Sequence, residues 1–320
     1  MDVPPVPTVD DVHRAAERIR PFAHRTPVLT SSALDGLTGA SLFFKCESFQ
    51  KVGAFKFRGA TNAVMSLSDE AAARGVATHS SGNHAAALAL AARNRGIPAH
   101  VVMPTSAPAV KKAAVAGYGA RIVECEPTLE ARETTLDAVV AETGAEFIHP
   151  YNDPRVVAGA GTAALELLSD HPHLDVIMAP VGGGGLMSGT AIAARGLSAE
   201  IRIIGAEPDL ADDAFRSLEA GEIIPSLAPK TICDGLLTSL GPLSFTVLSG
   251  HLERIVTVSE DAIIQAMRHV WERMKIIIEP SSAVPLGALL EDKLDLRGLE
   301  VGLIVSGGNV NLDRLPWSDA

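Results

Sequence analysis

One recurring order constrains the fold more than any other feature of the chain: a short apolar run ends at a glycine or proline turn, and a helical stretch follows. VATHS leads through the Gly82-Asn83 turn into an alanine-rich helix over 85–95, which Gly96 and Pro98 stop. AHVVMP precedes a helix around 109–116, and RIVECE and FIHPY read as further strands. DVIMAPVGGGG, RIIGAEP and EVGLIVSGGN repeat the pattern, with helices such as 159–168 and 261–275 between them. Strand, turn and helix in repetition predict parallel βαβ units with right-handed crossovers, hence an α/β fold. Ahead of these units Thr8 can N-cap a first helix, with Asp11 in capping-box position. Val9, Val12, Ala16 and Ile19 then share one face, and residues 42–46 form a strand.

At 320 residues the chain can fill two lobes. Only 4% of it is aromatic, so Ala, Val, Leu and Ile must build the core, which favours a helix-covered parallel sheet over a β-sandwich. A net charge of −11 argues against a nucleic-acid groove and against an anionic membrane surface. The start, MDVPPVPTVDD, has no basic or apolar region of a secretion signal. No stretch approaches the ~20 apolar residues of a membrane span. Cys46, Cys125 and Cys233 are odd in number and lack metal-ligand spacing, which fits a reducing cytoplasm.

Ligands of open α/β sheets bind beyond the carboxyl ends of the strands, so chemistry is sought in the turns there. In FQKVGAFKFRGATNAV, Lys56 sits between Phe55 and Phe57. Partial desolvation would lower its pKa and favour an amine nucleophile, although such a lysine can also snorkel at a surface. In THSSGNH, Ser80, Ser81, Gly82, Asn83 and His84 lie where a strand meets a helix N-terminus, a place for a carboxylate or for a plain cap. In PVGGGGLMSG, four consecutive glycines, Gly182 to Gly185, can curl N–H groups round a phosphate or allow tight packing. That run matches neither a P-loop nor a dinucleotide fingerprint. VSGGNVN supplies a last strand-end serine, Ser306.

Together and in this order, these motifs resemble the serine racemase and serine/threonine dehydratase group of fold-type II pyridoxal-phosphate (PLP) enzymes, which includes 3-hydroxyaspartate dehydratases. The resemblance runs over about residues 10–312. It implies a tryptophan synthase β-like fold with two open α/β lobes and the cofactor in the cleft between them. The large cofactor-binding domain would comprise 1–68 plus 150–320, and the small mobile substrate domain 69–149. Lys56 would carry the cofactor as a Schiff base, Phe55 would pack against the ring, and Asn83 would bond the ring hydroxyl. Gly182, Gly183, Gly184 and Gly185, with Leu186, would surround the phosphate, and Ser306 would face the pyridine nitrogen. A neutral serine does not hold that nitrogen protonated as a carboxylate would, which favours β-elimination or reprotonation at Cα over transamination.

By the same resemblance, Ser80, Ser81, Gly82, Asn83 and His84 hold the substrate α-carboxylate, and Lys56 removes the Cα proton. Ser81 matches the second proton-transfer serine of the racemases, where dedicated threonine dehydratases tend to carry alanine. Arg132 matches a racemase-family arginine on the substrate side of the cleft. It could pair bidentately with a second carboxylate, which would suit 3-hydroxyaspartate, or lie in solvent beside Glu130 and Glu133. Ser239, in TSLG, is a further substrate contact. GAEPDLADDAF resembles the group's divalent-cation site, with the carboxylates of Glu207 and Asp213 and the Ala211 carbonyl suited to Mg2+, Ca2+ or Mn2+. Where animal racemases carry a glutamine that helps bind nucleotide, this chain has Ala86. The chain ends soon after SGGN, so no regulatory domain of biosynthetic threonine deaminase is expected.

The implied activity is dehydration and deamination, racemisation, or both, of serine, threonine or 3-hydroxyaspartate by a cytoplasmic homodimer acting on a small molecule. The alternatives are a serine/threonine ammonia-lyase without racemase activity, a β-replacement enzyme, a nucleotide-dependent oxidoreductase using the glycine run, and a non-catalytic relative that keeps the cleft.

Overall fold

The computed structural model describes residues 4–317. The part of the N-terminal reading that concerns residues 1–3 lies outside them. The first helix, Val9–Ile19, carries the expected capping box: the Thr8 hydroxyl accepts from Asp11 N–H, and the Asp11 carboxylate accepts from Thr8 N–H at 2.8 Å. Val12, Ala15 and Ile19 are its buried residues, so the inward face turns slightly from the expected one, with Ala15 rather than Ala16 fully covered.

Strands β1 (Val28–Leu29), β2 (Ser41–Cys46), β3 (Val76–His79), β4 (Ala99–Pro104) and β5 (Arg121–Cys125) come from the first part of the chain. Strands β6 (Glu146–Phe147), β7 (Val176–Pro180), β8 (Arg202–Pro208), β9 (Arg254–Val258) and β10 (Glu300–Val305) complete the set. They form a six-stranded sheet ordered β1-β2-β10-β7-β8-β9 and a four-stranded sheet ordered β5-β4-β3-β6. Every pairing is parallel except β1 with β2. The class is the α/β one expected. Strand β7 is buried along its whole length, as a parallel strand covered on both faces must be.

Two segments differ from the sequence reading. FIHPY is not a strand: only Glu146–Phe147 pairs with β3, and His149 ends the ladder because its Nδ1 accepts the N–H groups of Tyr151 and Asn152. The helix expected over 261–275 is α-helical over Glu260–His269 and then widens to a π-helix, Val270–Met274, ended by Lys275 at φ 60°.

Helix Pro154–Asp170 is the spine of the molecule. A Cβ on its Gly159 would lie 2.7 Å from the Arg58 carbonyl oxygen, and one on Gly161 would lie 2.6 Å from the Gly189 carbonyl oxygen. Bare glycines therefore let helices Lys56–Met65 and Gly185–Leu197 press backbone to backbone onto one support. Beneath the first of these, Arg58 is fully buried. Its guanidinium forks onto Glu47 at 2.7 and 2.9 Å and reaches both Glu166 oxygens at 2.8 Å. Buried Lys45 closes the network on Glu166 at 2.6 Å. Such charges survive burial only because each has a partner.

Candidate active site

Lys56 is the first residue of helix Lys56–Met65, and the chain just before it is pinned to the end of β10. Phe55 N–H donates to the Ser306 carbonyl at 2.9 Å, Ala54 bridges Gly307, and Gly53 takes φ 70° against Asn309. Lys56 Nζ donates to the Pro150 carbonyl at 2.9 Å and sits 5.0 Å from the centre of the Phe55 ring. Burial pulls its pKa down to about 8, against an opposing pull from Glu279. A cation on the first turn of a helix also faces the wrong end of the macrodipole. The expectation of a partly desolvated amine therefore matches its surroundings, although the Phe57 ring turns into the core and only Phe55 flanks the amine.

The glycine run follows β7 and opens helix Gly185–Leu197, whose N-cap, Gly184, takes φ 85° and offers no side-chain cap. The first N–H groups of this helix are thus left for an anion. The glycines are also required by packing: a Cβ on Gly183 would lie 2.5 Å from the Tyr151 ring, and one on Gly182 would lie 2.9 Å from Leu236 Cα. Leu186 packs into the core beside them. The packing role of the run is thus plain, and the free N–H groups leave its anion-binding role open.

Asn83 opens helix Asn83–Arg95, again without a side-chain cap. Its amide orientation is set from two sides. Nδ2 donates to Glu279 at 3.0 and 3.2 Å, and Oδ1 accepts from Asn309 Nδ2 at 2.9 Å. Glu279 is only 3% exposed, and its pKa rises to about 7, first through burial and then through Asp234. Ser306 is buried too, with its hydroxyl 3.0 Å from that of Ser282. Sequence reasoning missed both Glu279 and Ser282. The available signal was KIIIEPSSA, an apolar run ending in a carboxylate just before a proline-started helix, Pro280–Leu290.

Ser80, Ser81 and Gly82 form the half-buried turn after β3, and Ser80 Oγ accepts from Gly82 N–H at 3.3 Å. The His84 side chain turns away into the core, with Nε2 3.3 Å from the Ile148 carbonyl, so His84 can offer this turn only its backbone N–H. Burial holds His79 low and His149 at about 4, and their rings lie 6.2 Å apart. His79 feels the charges of Glu133 and then Arg132, both on helix Leu129–Thr143, while His149 feels those of His79 and then Lys56. The arginine's Nε is buried without a hydrogen-bond partner, and it forms no ion pair with Glu130 or Glu133. His79 and His149 thus lie side by side, one within the electrostatic reach of Arg132 and the other within that of Lys56. Ser239 points elsewhere, accepting from Ser226 N–H at 2.8 Å.

Glu207 is the penultimate residue of β8 and Asp213 starts helix Asp213–Ala220, with buried Ala211 in the turn between them. Burial raises Glu207 to about 9 and Asp213 to about 6. Phe215 N–H donates to Glu207 at 2.8 Å, but Asp213 Oδ2 is a buried orphan. Two crowded carboxylates with an orphaned oxygen suit a hard cation. Among the described residues no group of three or more His, Cys, Asp or Glu side chains forms a metal cluster, so backbone oxygens would have to complete such a site.

A lysine amine, uncapped N–H groups behind a glycine run, an oriented asparagine and a buried serine are a donor set that fits pyridoxal phosphate. Comparison with known proteins agrees. Residues 19–307 match the family described as pyridoxal-phosphate dependent enzyme. The chain belongs to that family of enzymes. It is 54% identical over 313 residues to the beta-hydroxyaspartate dehydratase of Paracoccus denitrificans, covering 98% of this chain and 99% of the relative. It is 46% identical to the L-threo-3-hydroxyaspartate ammonia-lyase of Saccharomyces cerevisiae, covering 97% and 95%. The crystal structure of serine racemase from Dictyostelium discoideum superposes with a TM-score of 0.93 at 48% identity, covering 96% of this chain and 99% of that one. No helix among the described residues is long and apolar enough to cross a membrane.

Proposed function

We propose that the protein removes the Cα proton and β-hydroxyl of 3-hydroxyaspartate as water, leaving an enamine that tautomerises to an imine and is hydrolysed to oxaloacetate and ammonia. The observation that carries this reading is Arg132, a guanidinium with a buried, unpartnered Nε whose charge is felt at His79. A substrate with one carboxylate leaves Arg132 without a partner, whereas a second carboxylate can take its fork. Relatives that act on hydroxyaspartate, at 54% and 46% identity, support the same choice.

Lys56 would hold pyridoxal phosphate covalently, with Gly182 to Gly185 and Leu186 around its phosphate, Phe55 on its ring, Asn83 at its ring hydroxyl and Ser306 at its ring nitrogen. The bound cofactor supplies an electron sink that acidifies the substrate Cα–H. The N–H groups of the Ser80 to His84 turn hold the α-carboxylate at a helix N-terminus, and Arg132 holds the β-carboxylate. Lys56 Nζ, neutral above about pH 8, takes the Cα proton. His79 and His149 stay neutral beside it, so the cleft adds no competing cation to that of Arg132.

A second activity is favoured by Ser81, which sits half-buried in the same turn. Donating a proton to the opposite face of Cα, it would racemise a fraction of substrate. Ser239 would act through Ser226, whose N–H donates to it. The smaller unit, 69–149, would close over substrate, Mg2+ would bind Glu207, Ala211 and Asp213, and the working form would be a cytoplasmic homodimer.

The test is direct. Purified protein with PLP and Mg2+ is given each 3-hydroxyaspartate stereoisomer, L-serine and L-threonine, and oxoacid and both enantiomers are quantified. Oxoacid release fastest from one hydroxyaspartate isomer is expected. Dominant D-serine formation would instead make it a serine racemase.

A further inference from the structure

Ser282 lies in the first turn of helix Pro280–Leu290, 4% exposed, and none of the roles above uses it. Its hydroxyl has three neighbours. Gly307 N–H donates to it at 2.7 Å, the Gly307 carbonyl lies 2.7 Å away as an acceptor, and Ser306 Oγ lies at 3.0 Å. A hydroxyl has one proton and two lone pairs. The Gly307 N–H fills one lone pair, so the Ser282 proton goes either to the Gly307 carbonyl or to Ser306. The carbonyl is not left bare in the second case, because Glu279 N–H also donates to it at 3.0 Å.

We propose that Ser282 is a positioning residue that lets Ser306 meet the ring nitrogen of bound pyridoxal phosphate in either protonation state. The inference rests on the reading that Ser306 faces that nitrogen. With a bare nitrogen, protons run outward, from Ser282 to Ser306 and from Ser306 to the ring. With a protonated nitrogen they run inward: the ring donates to Ser306, Ser306 to Ser282, and Ser282 to the Gly307 carbonyl. Every donor has an acceptor in both directions. Without Ser282 only the outward direction is satisfied, since a Ser306 that accepts from the ring would leave its own buried proton without an acceptor. The lone serine therefore disfavours ring protonation, and the serine pair removes that penalty.

The test is 15N NMR of holoenzyme loaded with cofactor labelled at the ring nitrogen, followed against pH. Ser282→Ala is expected to lower the midpoint of ring-nitrogen titration by about one pH unit, a tenfold shift. Ser282→Cys, which keeps the volume with a weak hydrogen-bonding group, is expected to shift it in the same direction. Unchanged midpoints in both variants would overturn the relay. Ser306→Ala separates the two claims. If it moves the 15N signal while the Ser282 variants do not, the relay alone fails; if it moves nothing, the placement of Ser306 fails.

Discussion

At the scale of single residues, the Lys56 amine is prepared by opposing influences whose balance can be measured. Burial and the helix N-terminus disfavour its charge, the Pro150 carbonyl and the Phe55 ring accept it, and Glu279 favours it from a distance. Burial is the largest, so the folded pKa lies below the usual lysine value and the neutral nucleophile dominates above about pH 8. The rate at which cofactor-free protein captures PLP should rise about tenfold per pH unit below 8 and level off above it, followed by absorbance. A rate still climbing at pH 10 would mean an ordinary lysine. The lysine itself could be read from its glycine and phenylalanine neighbours. Glu279 and Ser282 could not, because they reach Asn83 and Ser306 only once distant segments are folded together.

At the scale of elements, the site depends on how three helices meet. The glycine run was legible as a turn, but Gly159 and Gly161 looked like ordinary helix interior. Their purpose is visible only where the helices bearing Lys56 and the glycine loop cross Pro154–Asp170. Arg58 ties the first of these helices to Glu47 and Glu166, two residues after Lys56. Arg58→Met leaves Glu47 buried without its ion-pair partner and should lower stability by about 3–5 kcal/mol in urea unfolding. A loss below ~1 kcal/mol would show that the network is not a support. FIHPY was misread because its apolar residues fit a strand while the His149 ring, which satisfies two turn N–H groups, left no mark in the pattern. The turn from Glu207 to Asp213 carries a prediction as well. Mg2+ should raise the melting temperature by about 3–5 °C, reversibly on chelation, and Asp213→Asn should abolish the effect. An equal rise in the variant would place the ion elsewhere.

At the scale of the whole molecule, repeated strand, turn and helix were enough to give the α/β class, because parallel strands covered on both faces leave long apolar runs. Strand order was not legible. The last strand, β10, inserts between β2 and β7 in the larger sheet, and this crossover brings Ser306 and Gly307 back to Ala54 and Phe55. The four-stranded sheet gathers β3, which the Ser80 to His84 turn follows, and β5, which the Arg132 helix follows.

The most direct measurement compares kcat/KM for hydroxyaspartate and for L-serine in the wild type and in Arg132→Ala. Loss of a desolvated charge pair costs about 2–5 kcal/mol, so the hydroxyaspartate value should fall about 30-fold or more while the serine value changes less than about threefold. A parallel fall for both substrates, or none for hydroxyaspartate, would contradict a second-carboxylate site at Arg132.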